Sequence, residues 1–311
     1  MIRRAQLTLP TRQLLQAQHG VLSRRQALAT GLSPDDLRGL LESEALTPIG
    51  KGVYTSREDP EWRGLAWAGL LLGGTDAVIG REAAAHLHGL VARPPEVITV
   101  WIGRDRQLKP QGVWQFVRGS RRGRGEMART SVNDTILDLA DSSDDDELCR
   151  LMANAISNRM TTSSSLLADL ARRHWQPKRA LFRDILADVA DGAMSPLERR
   201  YFRDVERAHR LPRGIRQAGA LRYFSDIRYP QGLIVELDGR QYHRGPKEFD
   251  DMWRDNELSL DGALTFRFGA PHITGGACRT ARLVGATLMR LGWPGPITRC
   301  PRCLAMPMDS W

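Results

Sequence analysis

Hydrophobic and polar positions change period along the chain. Between Ser33 and Leu46, Leu37, Leu40 and Leu41 recur at helical spacing and set one apolar stripe inward. From Leu233 to Asp238 the period is two. Leu233, Val235 and Leu237 face one way, and Ile234, Glu236 and Asp238 face the other. Turn and cap residues between such stretches divide the chain into sections 1–59, 60–192 and 193–295 and a tail, 296–311. The expected class is a multidomain α+β or α/β chain.

In the first section, "LSRRQALATG" has Ser23 as an N-cap before a short helix that Gly31 stops. "LSPDDLRGLLESEAL" has Ser33 as N-cap, Pro34 at the first helical position and acids in the first turn. "LTPIGKGVYTS" puts a Gly-Lys-Gly turn between two β-prone pieces. Helix, tight turn, helix and small hairpin make the pattern of a winged helix-turn-helix. Such a unit sends its Ser33–Leu46 helix to a DNA groove, with Arg38 exposed and Lys51 on the wing touching phosphate. Winged helices also serve as protein-docking modules, and two acids open this helix where recognition helices meet DNA.

The second section reads as mostly helical with a small sheet. "REAAAHLHGL" is a helix ended by Gly89; "EVITVWIG" and "GVWQFVRG" are strands; "TSVNDTILDLAD" opens a further run of helices. His86 and His88 lie two apart on different helix faces, so packing explains them better than ligation. The Arg121–Arg124 cluster reads as a phosphate grip or as a solvated loop.

The third section opens at "GAMSPLERR", with Ser195 as N-cap, Pro196 at the first position and Glu198 in the first turn. Pro230-Gln231-Gly232 then turns one strand into the next. With that loop, Asp226 falls directly across from Glu236 on the same face. Clustered carboxylates repel one another unless a cation or proton lies between them. All-oxygen ligands suit Mg²⁺ or Mn²⁺, and a hard cation in a basic protein points to phosphodiester hydrolysis.

The segment from about Ser195 to Trp293 resembles the Vsr-like group of PD-(D/E)XK nucleases (the domain of unknown function 559 type). The resemblance rests on "SPLERR", "SDIRYP", "VELDGRQYH", "RDNELSLDG" and "LTFRFG" in order. It implies a restriction-endonuclease-like fold in which Asp226 and Glu236 are the strand acids that hold the metal. Glu198 would be the helical acid and His243 a catalytic histidine. Arg254 and Arg267 would meet the scissile phosphate. Where the pattern wants lysine, this chain has Asp238, which could hold a second ion or take a proton from water. Most of residues 10–190, with "AVIGREAAAHLHGL" and "TSVNDTILDLAD", resembles AbiEi-type antitoxin regulators, with Asp134 in place of an arginine. That resemblance implies DNA binding in a toxin–antitoxin, antiviral defence or repair setting.

The composition leaves these readings intact. Lys+Arg 45 against Asp+Glu 36 gives +9, which suits a polyanionic partner, with double-stranded DNA foremost. The N-terminal "MIRRAQLTLPTRQLLQ" lacks the apolar run of a signal peptide, and four cysteines are too few for a disulfide scaffold; a cytoplasmic protein off the membrane is expected. Cys300-x-x-Cys303 is half of a zinc site that Cys278 and His272 could complete, and a tail with incidental cysteines fits the same residues. The leading expectation is a Mg²⁺/Mn²⁺-dependent DNA endonuclease delivered by the winged helix. The competing one is a non-catalytic DNA-binding regulator with a degenerate nuclease fold.

Overall fold

A computed structural model describes residues 6–191, 195–220, 223–238 and 264–305. The chain divides into two compact units: Met1–Asp144 with Asn158–Lys178, and Asp145–Ser157 with Arg179–Trp311.

The first unit begins with α1 (Leu9–Ala17), β1 (Val21–Ser23), α2 (Arg24–Ala29), α3 (Pro34–Glu42), β2 (Thr47–Gly50) and β3 (Val53–Thr55). The strands form an antiparallel sheet in the order β1-β3-β2, which with the three helices is the winged-helix arrangement. Ser23 and Ser33 each accept from the backbone N–H three residues on, and Gln26 and Asp36 answer with a side chain to the cap N–H. α1 went unread in the sequence pattern. Thr8 caps it, and the Thr8 hydroxyl donates to Thr30 O over 2.9 Å, tying α1 to the end of α2. α3 stops at Glu42 rather than Leu46 because Leu46 has to return to the core. Glu44 takes φ 58°, Leu46 N donates to Leu40 O over 3.1 Å, and Leu46 is fully buried.

The same unit continues with α4 (Trp62–Gly73), β4 (Val78–Ile79), α5 (Arg81–Leu87), β5 (Ile98–Ile102), β6 (Trp114–Arg118), α6 (Val132–Asp138) and α8 (Ser163–Arg172). Strand order is β4-β5-β6, with β5 parallel to β6 and antiparallel to β4. β5 is buried along its whole length. α4 packs closely on it, since a Cβ at Gly69 would stand 3.0 Å from Val100 and one at Gly73 3.2 Å from Ile102.

The second unit holds α7 (Asp145–Ser157), α9 (Arg179–Ala190) and α10 (Pro196–Arg200), which runs into a π-helical segment, Tyr201–Arg207. α7 and α9 belong here by packing, although their sequence runs on from the second section. Strands β7 (Ile215–Ala220), β8 (Tyr223–Arg228), β9 (Leu233–Asp238) and β10 (Leu264–Gly269) follow, then helices Ala270–Thr274, Ala277–Arg290 and Pro301–Leu304. The sheet order is β10-β9-β8-β7; β7, β8 and β9 are antiparallel neighbours and β10 runs parallel to β9. One face of this sheet, with Ile227, Tyr229, Leu233, Val235 and Phe268, packs on Tyr201, Phe202, Val205, Ile273, Ala281 and Val284.

Candidate nucleic-acid interface and acidic sheet face

The hairpin that brings the acids together is built by its turn. Gly232 N donates to Tyr229 O over 3.0 Å and Tyr229 N to Leu233 O over 2.8 Å, so the loop is Pro230–Gly232. Pro230 sets its own φ, and Gly232 takes φ 95°, which a side chain would resist. The register pairs Ile227 with Val235 and Arg228 with Ile234, where the β8–β9 ladder ends, and Asp226 lies one residue beyond it, on the strand facing Glu236. On the other side of β9, Arg267 pairs with Glu236 and Gly269 with Asp238. Asp226, Glu236, Asp238 and Arg267 therefore share the face turned away from the Tyr201–Phe202 core.

Contacts define this face further. Asp226 Oδ2 accepts from Leu237 N over 2.8 Å, which holds the carboxylate against β9. Arg267 Nε donates to Glu236 Oε2 over 2.9 Å, and Glu236 is nearly buried. Arginine is thus a cation for Glu236. Glu198 is used at its own helix start, where Ser195 Oγ donates to its Oε1 over 3.0 Å. His243 and Arg254 lie outside the described residues.

At the winged helix, Arg38 is exposed but sits 3.1 Å from Asp35, and the remaining exposed residues of α3 and its end include Glu42 and Glu44. Its outer surface is acidic. Lys51 is exposed at the tip of the β2–β3 turn. The neighbouring cations were missed in the sequence. Arg24 N donates to Gly52 O over 2.8 Å, so exposed Arg24 and Arg25 open α2 beside the wing. The signal was present as adjacent arginines directly after the Ser23 cap.

Other candidates have structural roles. His86 Nδ1 lies 3.2 Å from Val91 O and its ring meets Trp62 edge-on, whereas His88 Nε2 lies 2.7 Å from Thr130 O. Burial holds His88 below the usual histidine range, with Arg129 adding to that and the Thr130 carbonyl opposing it. Arg121 is neither a solvated loop residue nor a free phosphate grip. It makes two 2.8 Å bonds to the Asp138 carboxylate and lies over the Trp101 ring. Arg173 joins them, 2.8 Å from Asp138 and 2.9 Å from Asp134, so a guanidinium does stand beside Asp134. Cys149 packs in α7, and burial pushes its thiol up to about 11.

The tail cysteines are gathered rather than loose. Cys278, Cys300 and Cys303 converge, and their fourth neighbour is His209, not His272. His272 instead takes Gly269 N on its Nδ1 over 3.1 Å.

Residues 11–57, from α1 through β3, match the family model described as "Transcriptional regulator, AbiEi antitoxin". No curated protein matches the chain. Among solved structures it is similar to the RV2827C protein of Mycobacterium tuberculosis at 14% identity and a TM-score of 0.39, over 63% of this chain and 82% of that one. Among the described residues no helix is long and apolar enough to cross a membrane.

Proposed function

We propose that this chain is a DNA-binding regulator of the AbiEi antitoxin kind, gripping duplex DNA through the wing and the start of α2. The observation that carries this reading is the Arg24 N to Gly52 O bond, which puts Arg24 and Arg25 beside Lys51 within the segment that matches the family. Three exposed cations there supply backbone neutralisation, the main source of affinity in such complexes. The acidic outer surface of α3 argues against deep insertion of that helix, so phosphate contact outweighs base readout. Fluorescence anisotropy with labelled duplex tests it. Nanomolar to micromolar binding that weakens steeply with salt supports the reading; salt-insensitive or absent binding by the intact chain overturns it.

A second reading, a metal-dependent DNA endonuclease, is favoured by the acid-bearing face of β8 and β9 followed by parallel β10. The donor set of Asp226, Glu236 and Asp238 is all oxygen and fits Mg²⁺ or Mn²⁺. Such an ion, when bound, lowers the pKa of a ligated water and neutralises phosphate charge. Arg267, already charge-paired on that face, would meet the phosphate, and Asp226 would keep its place through Leu237 N. Plasmid nicking with Mn²⁺, lost in Glu236→Ala, supports it; equal nicking by that variant sinks it.

A further inference from the structure

His209 and three cysteines meet in one buried place, far apart in sequence and outside both sites above. His209 follows the π-helical segment, Cys278 sits in the first turn of the Ala277–Arg290 helix, Cys300 caps the short Pro301–Leu304 helix and Cys303 lies within it. Exposure is 0% for His209, 8% for Cys278, 5% for Cys300 and 0% for Cys303. Cys278 Sγ lies 3.7 Å from Cys300 Sγ, Cys300 Sγ 3.6 Å from Cys303 Sγ, and His209 Nε2 3.3 Å from Cys303 Sγ. All four donor atoms fall within 4.8 Å of one another.

Two simpler explanations fit this geometry less well. A disulfide needs sulfurs about 2.05 Å apart, and all four cysteines of the chain are free. Random thiol packing does not account for the histidine. Its Nδ1 lies 3.0 Å from Val205 O, so that nitrogen carries the proton, and the Nε2 lone pair of the neutral ring is aimed at sulfur. Zinc sits about 2.3 Å from sulfur and about 2.0 Å from nitrogen, so the edges of its tetrahedron are about 3.8 Å for sulfur pairs and about 3.5 Å for sulfur–nitrogen. Three of the observed spacings, 3.7, 3.6 and 3.3 Å, lie close to those edges, and the remaining pairs fall within 4.8 Å. The Val205 carbonyl behind His209, and the Cys303 and Arg302 N–H groups on Cys300 Sγ, are the supports that zinc ligands ordinarily have.

The geometry points to a structural Zn²⁺ site of the Cys₃His type, His209–Cys278–Cys300–Cys303. Four protein ligands leave no position for substrate, so the ion is a staple rather than a catalyst. It fastens the segment around residue 300 to the Ala277–Arg290 helix and to the end of the π-helical segment, a join that Thr298 N to His209 O, 3.0 Å, already sketches. On binding, each cysteine thiol gives its proton to solvent and the histidine stays neutral.

The test uses the full chain, purified with zinc and no chelator, and measures zinc by elemental mass spectrometry. One ion per chain is expected, and cobalt(II) exchanged into the site should show the absorption of a tetrahedral thiolate complex. Cys303→Ser and His209→Ala should fall to trace zinc. Because either variant could fail to fold, Cys278→His is made beside them and should keep the ion. Cys149→Ser should bind zinc as the unaltered chain does. Alkylation mass mapping gives an independent readout, with Cys278, Cys300 and Cys303 protected until a chelator is added. Trace zinc in the unaltered chain, or protection that a chelator does not change, overturns the assignment.

Discussion

Arg267 and Glu236 stand in register on parallel strands β10 and β9, with Nε donating to Oε2 over 2.9 Å. An arginine so placed can neutralise a buried acid in a regulator, or wait for a phosphate in a hydrolase. The two roles separate experimentally. On the hydrolase reading, Arg267→Gln lowers Mn²⁺-dependent nicking by about 10²-fold, the usual cost of removing one transition-state donor. Calorimetric Mn²⁺ binding should survive in the same variant. If neither the unaltered chain nor the variant nicks plasmid while both bind duplex equally, the arginine is a structural counter-ion.

Charge at the wing is predicted to act through phosphates. Arg24→Ala, Arg25→Ala and Lys51→Ala should each weaken duplex binding about equally on unrelated sequences, and each should reduce the salt slope by about 1. Arg38→Ala should change little, because Asp35 already offsets that charge at 3.1 Å. Anisotropy titrations at several salt concentrations decide this. A larger loss for Arg38→Ala than for Lys51→Ala would restore α3 as the main contact.

The hairpin was legible because its information is local: a Pro-Gln-Gly turn joins two strands of period-two alternation, and the structure has the same turn and pairs Ile227 with Val235. The helix starts at Ser23, Ser33 and Ser195 were legible for the same reason. What stayed hidden depends on pairing across the chain. Arg267 meets Glu236 only through the parallel register of β10. His209 lies 94 residues from Cys303, in the turn after the π-helical segment, so nothing local marks it as the partner, whereas His272, nearer in sequence, was the obvious choice. Arg121 looked solvated beside glycines until Asp138 was brought to it from α6.

Asp138 should be the most sensitive polar position of the first unit. Its side chain is 3% exposed between Arg121 and Arg173, themselves 25% and 19% exposed. Asp138→Ala leaves two partly buried guanidiniums without their shared carboxylate, which costs about 3 kcal/mol. Asp134→Ala is the contrast. That carboxylate is 37% exposed, and its loss should cost under about 1 kcal/mol. Urea denaturation of the two variants compares them, and equal losses would remove Asp138 from the centre of the network.

Glu206 gives the second unit a pH dependence of known sign. It lies under the sheet, 3% exposed, where Oε1 accepts from Tyr229 OH over 2.7 Å and from Gly214 N over 3.2 Å. Burial raises its pKa above the ordinary carboxylate value, and the Tyr229 and Gly214 bonds and the Arg216 charge oppose that without cancelling it. Between the ordinary and the folded value, the native state keeps a proton that the unfolded chain has released. The contribution of Glu206 is therefore greatest below the ordinary carboxylate pKa and is lost as pH rises through the folded pKa. Glu206→Gln keeps an oxygen for Tyr229 and Gly214 but cannot ionise. The difference in stability between the variant and the unaltered chain should move in favour of Glu206→Gln as pH rises from about 4 toward neutrality, then level off. Denaturation midpoints of both proteins measured across that range check it. A difference that stays flat with pH would mean that Glu206 has the same pKa folded and unfolded, and one that moves in favour of the unaltered chain would mean that Glu206 is ionised in the fold, with Arg216 rather than a proton as its partner.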